Sequence, residues 1–155
     1  MSCGLALAFV MASASPQAAS APVQLAAVAT PAALAHEPLY ADIVNRAKGL
    51  RSRVKIYQAA GGASVDLAAF RAELDRLAAL DMQGHFDLKA RNVDGDLKCI
   101  LKGIAEDLPK RFDDLQAATT PEARIAALKE MGYLLDDNVE VITSPPGPAT
   151  PPPAA

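Results

Sequence analysis

Three basic residues, Lys48, Arg51 and Lys55, recur at steps of three and four. On a helix that spacing lines three cations along one edge, with Arg46 and Arg53 on the opposite flank. Such a strip would dock an acidic partner or an anionic membrane surface. The competing reading is ion pairing with carboxylates of neighbouring segments, such as Asp66, Glu73 or Glu130. A net charge of −3 weighs against the membrane surface.

The second chemical handle is Cys99. If export removes Cys3, it is the one cysteine left, and no internal disulfide can form. At about 100° per helical residue, Cys99 lies about 200° from Leu97, whereas Ile104 and Leu108 lie within about 20° of Leu97. The thiol therefore shares a polar face with Glu106 and Lys110. In an oxidising compartment it would link two copies, which makes Cys99 the redox and homodimerisation candidate. Cover by the segment Gln83 to Gly95 is the alternative. The neighbouring charges are mixed, with Lys98 and Lys102 near Asp96, so no activated thiolate and no thiol catalysis are expected.

Other constellations fall short of a chemistry. Asn92, Asp94 and Asp96 alternate as at the start of a calcium loop, but such a loop needs glycine sixth and glutamate twelfth. This chain has Leu97 and Gly103 there, so helix capping by Asp94 or Asp96 is the expectation. His36 precedes the first expected helix and His85 falls in an expected loop, which leaves no axial haem ligand on a core face. Cys-x-x-Cys-His, Glu-x-x-His, His-Glu-x-x-His, Gly-x-Ser-x-Gly and glycine-rich phosphate loops are all missing. An isoelectric point near 5.3 opposes nucleic-acid binding, which needs a basic field. No catalytic, cofactor-binding or metal residue is expected, and the chain does not read as an enzyme.

The elements that must carry these residues are helices. Ile43, Ala47, Leu50, Val54 and Tyr57 stack on one face of a helix that opens at Pro38 and stops at Gly61 and Gly62. Leu67, Phe70, Leu74, Leu77 and Leu80 form a second stripe, capped by Ser64 and ended by Gly84. Leu97, Leu101, Ile104, Leu108, Phe112 and Leu115 form a third. Ile125, Leu128, Met131 and Leu135 form a fourth, behind Thr120 as cap and Pro121 in the first turn. Each stripe needs the others to leave water. Short connections favour antiparallel neighbours, so the expected fold is all-α: an antiparallel up-down-up-down four-helix bundle. Pro109 removes a donor inside the third helix, which must kink or restart at Asp107. The segment Gln83 to Gly95 reads as a long connection holding a short turn of helix around His85 to Ala90.

Charge distribution sets the boundaries. The 15 Lys and Arg and the 18 Asp and Glu of this 155-residue chain all fall between Glu37 and Glu140. The bundle is assigned to residues 37–143, the common size for one core. From Gly4 to Ala14 an uncharged apolar run of secretory length precedes small residues that allow cleavage after Ala14 or Ala21, so residues 1–21 read as a signal-peptide-like segment. The run is too short to span a bilayer, and no transmembrane segment is expected in the mature chain. Residues 22–36 read as an Ala/Pro-rich spacer. Residues 144–155, which hold six of the 12 prolines, read as a disordered extended tail.

These features together describe an exported, periplasmic or secreted helical-bundle protein that binds a protein partner without catalysis. A bundle carrying a small ligand, haem or metal, with its pocket at the Pro109 bend, is the rival expectation.

Overall fold

The computed structural model describes residues 34–63, 65–92 and 95–144. The signal-like segment 1–21, the spacer through residue 33, Ser64, Asp94 and the tail from residue 145 lie outside them. Within the described residues the chain is all-α, with four helices and no strand: α1 (Pro38–Ala59), α2 (Leu67–Ala90), α3 (Leu97–Ala117) and α4 (Pro121–Thr143).

Local chemistry explains where these helices begin and end. Pro38 and Pro121 occupy first turns, where a missing N–H costs nothing. Thr120 caps α4, its Oγ1 accepting the Ala123 N–H at 3.2 Å. The cap of α2 is Asp66, whose Oδ1 accepts the Ala69 N–H at 3.0 Å; it stands immediately before the first helical residue, where the Ser64 expected for this role does not. Asp96 holds the N-cap position of α3 without a side-chain capping bond. At the end of α1, Gly61 and Gly62 turn the chain with φ of 65° and 73°, a region that costs a residue with a Cβ.

The four stripes meet in one core. Ile43, Ala47, Leu50 and Val54 of α1, Phe70, Leu74 and Leu77 of α2, Leu101, Ile104, Leu108, Phe112 and Leu115 of α3, and Leu128, Met131 and Leu135 of α4 are all buried. Each helix packs on two others: α1 and α3 both contact α2 and α4. Phe70 anchors one layer, in edge contact with Tyr57 at 5.4 Å and beside Phe112 at 6.4 Å. Leu34, inside the stretch read as spacer, is also buried against this core.

Several sequence expectations are corrected. Gly84 does not end α2; the helix runs on to Ala90, and the expected long connection from Gln83 is mostly its last two turns. The reason is packing. A Cβ at Gly84 would sit 3.1 Å from Leu101 and 3.3 Å from Tyr40, so the glycine marks a close approach of three helices. The turn of helix expected around His85 to Ala90 is present, as the end of α2 and not inside a loop. Ile125 is 40% exposed, because Arg124 occupies that end of the interface, packed on Gly62 and bonded to the Ala118 carbonyl. The last stripe instead continues C-terminally through Asn138 and Ile142. At Pro109, α3 does not restart; it is helical from Leu97 to Ala117.

Candidate functional site

Residues seven apart on a helix are separated by two turns less about 20°, so Lys48 and Lys55 stand one above the other on α1. Between them Ser52 and Arg51 face α4. These four residues form one wall of a groove of about 510 Å³, and Asp136, Val139, Glu140, Thr143 and Ser144 form the other. All three cations singled out in the sequence therefore border one depression.

They do different things there. Arg51 crosses to α4, where its Nε donates to Asp136 Oδ2 at 2.8 Å. Its guanidinium lies against the helix backbone at Gly132, where a Cβ would come within 3.0 Å of Nη1. That Nη1 is buried and has no hydrogen-bond partner, so one donor of the only bridging cation in the groove is unspent. The ammonium groups of Lys48 and Lys55 make no ion pair or hydrogen bond among the described residues. Both lysines are exposed. The flanking cations are the ones that pair: Arg53 with Glu73 at 2.9 Å and Arg46 with Asp42 at 3.0 Å. Asp66, offered as a partner for the strip, spends its carboxylate on the cap of α2.

Cys99 is exposed in the first turn of α3. The preceding residue is tied down, since His85 Nδ1 donates to the Lys98 carbonyl at 2.6 Å. Phe86 stacks edge-on against His85 and is 57% exposed. The structure thus places Cys99 at the junction of α2 and α3, away from the lysine groove between α1 and α4, and the two candidates do not form one site. His36 is exposed. Among the described residues no three His, Cys, Asp or Glu side chains are grouped to hold a metal ion.

Two arrangements escaped the sequence reading. The first joins the start of α1 to the end of α2. Tyr40 donates to Asp87 Oδ2 at 2.7 Å, and Arg91 pairs with both Asp87 and Glu37. The Arg91 hydrogen bond holds the Glu37 carboxyl below its usual range. Burial and the Asp87 carboxylate push the Tyr40 phenol up, so it stays protonated and serves as a donor in a staple. The second is Asp81 of α2 bonded to Asn138 of α4, both fully buried. Asp81 follows Leu77 by four residues and Asn138 follows Leu135 by three, so a polar side chain in a core register was the available signal.

Lys48 and Lys55 present point charges to the groove, whereas the Ser52 and Thr143 hydroxyls donate to the Lys48 and Val139 carbonyls of their own helices. The groove offers no paired nucleophile and base. No helix among the described residues is long and apolar enough to cross a membrane. No known protein family matches the chain, and neither a curated protein nor a solved structure does.

Proposed function

We propose that this protein is an exported, non-catalytic docking module, periplasmic or secreted, whose α1–α4 groove takes an acidic segment of a protein partner. One observation carries the reading: among the described residues Lys48 and Lys55 flank the groove with no ion pair, while the other cations of α1 are committed to carboxylates. Two exposed ammonium groups two turns apart match carboxylates spaced along an extended or helical peptide. Each contact at such a rim contributes modestly and is weakened by salt, so it selects a partner more than it holds one. The carboxylates of Asp136 and Glu140 on the facing wall argue for a patterned protein segment over a uniformly anionic surface.

The apolar run at residues 4–14 and the small residues after it support export. The alternating up-down-up-down course and a bend of α3 at Pro109 belong to the same proposal. Support for the course comes from the links at residues 60–66, 91–96 and 118–120 and from the ring of contacts α1–α2–α3–α4–α1. The bend follows from the donor that Pro109 removes from the carbonyl of Ala105.

A titration of the isotope-labelled protein with a glutamate-rich peptide tests the docking reading. Amide signals of residues 48–55 and 136–144 should shift at low salt, and the shifts should vanish in Lys48→Glu/Lys55→Glu. Shifts that are unchanged in the double variant, or that appear only with anionic lipid vesicles, would overturn it.

A further inference from the structure

Asp81 and Asn138 are completely shielded from solvent in the core. Asn138 Nδ2 donates to Asp81 Oδ2 at 2.7 Å. The remaining oxygens, Asp81 Oδ1 and Asn138 Oδ1, have no hydrogen-bond partner. With Asp81 ionised both are acceptors, and neither can satisfy the other. A single proton on Asp81 Oδ1 changes this, because a carboxylic acid and a primary amide form a ring of two hydrogen bonds. In that ring Asp81 Oδ1–H donates to Asn138 Oδ1 and Asn138 Nδ2–H donates to Asp81 Oδ2. Rotation about the soft terminal torsions of the two side chains aligns their planes.

No charged side chain pairs with Asp81 or Asn138 among the described residues; the buried Arg51 Nη1 lies instead over Gly132, six residues before Asn138. The buried residues of α1 are Tyr40 and the apolar Ile43, Val44, Ala47, Leu50 and Val54. Tyr40 is the one titratable group among them, and its hydroxyl serves Asp87 and the Gly84 carbonyl. The buried residues of α3 are apolar throughout, and α4 adds only Asn138 and apolar neighbours. One turn along α2, His85 is engaged with the Lys98 carbonyl. Burial pushes the Asp81 carboxyl up to about 8 against the opposing pull of the Asn138 bond. The pair borders neither the docking groove nor the shallow depression between Asp42 and Gln83.

We infer that Asp81 holds a proton in the folded protein at neutral pH and, through the acid–amide ring with Asn138, acts as a proton-linked clamp between α2 and α4. Loss of the proton leaves a buried charge and two buried acceptors without a donor, which drives the helices to separate. The unfolded chain ionises this residue near 4, the folded chain well above. The contribution of the clamp is therefore full below about pH 4 and is lost as pH rises through the folded value. This inference is independent of the docking reading, since it concerns the opposite side of α4.

Denaturant unfolding of the full chain and of Asp81→Asn between pH 4.5 and 9 tests it. The unfolding constant of the native sequence relative to that of the variant should rise about tenfold per pH unit from about 5 to about 8 and then level off. Asparagine keeps a donor and an acceptor at position 81, so the variant should lose this dependence. A ratio that stays flat across the range overturns the inference. A carboxyl-carbon titration of Asp81 in the unmodified protein decides the matter even if the variant fails to fold. A midpoint near 8 supports the clamp, and a midpoint below about 5 overturns it.

Discussion

The guanidinium of Arg51 lies over Gly132 because a hydrogen replaces a methyl there, and this lets a long cation reach across α4 to Asp136. The ion pair is about half exposed on its acidic side, so its direct contribution to stability is about 1 kcal/mol or less. Its larger effect is to orient the groove wall. By contrast Lys48 and Lys55 remain available for an incoming anion. Cys99 is a separate matter. An exposed thiol in an oxidising compartment either cross-links or is kept reduced. Mild oxidation of the isolated mature protein should give a disulfide-linked homodimer on non-reducing gels, absent in Cys99→Ser. A thiol that reacts with a labelling reagent only after denaturation would contradict this.

At the next level, α2 shows how a packing contact overrides a local propensity. Glycine disfavours a helix interior by about 1 kcal/mol relative to alanine, and on that basis Gly84 reads as a stop. It is instead the contact point of Tyr40, Ile43 and Leu101 against the α2 backbone, and the Tyr40 hydroxyl reaches the Gly84 carbonyl at 3.3 Å. Gly84→Ala should therefore destabilise by about 1–3 kcal/mol despite the better propensity, because overpacking at 3.1–3.3 Å pushes two side chains from other helices. Chemical denaturation would measure it, and a gain in stability would show that α1 and α3 can move aside freely. The sequence signal at Gly84 was real, but it fits two causes that spacing does not separate.

For the whole molecule, the segregation of charge is the dominant pattern. Every ionised side chain lies between Glu37 and Glu140, and the helices run from Pro38 to Thr143. The uncharged arms bracket that unit, and the amino-terminal one sets small residues after an apolar run, as a secretory signal does, with no Lys or Arg before the run. Terminal sequencing of protein recovered from its native cells should find a mature amino terminus after Ala14 or Ala21. An intact Met1 or Ser2 on protein inside the cell would remove the export reading and with it the oxidising environment invoked for Cys99.

Hydrophobic periodicity by itself determined the helical class, the four stripes and most of the core, though not Leu34, Tyr40, Val44, Leu88 or Ile142, because burial of one face of a helix is a relation among positions three and four apart. It also brought Lys48, Arg51 and Lys55 to one edge and turned Cys99 outward, by the same geometry. What the tertiary structure decided is everything that depends on the register of one helix against another. Asp136 was not foreseeable as the partner of Arg51, nor Asp87 as that of Tyr40. The union of Asp81 with Asn138, 57 residues apart, follows from the axial offset between α2 and α4. Local spacing carries no information about that offset, since it is set by how side chains of different size interlock across the core.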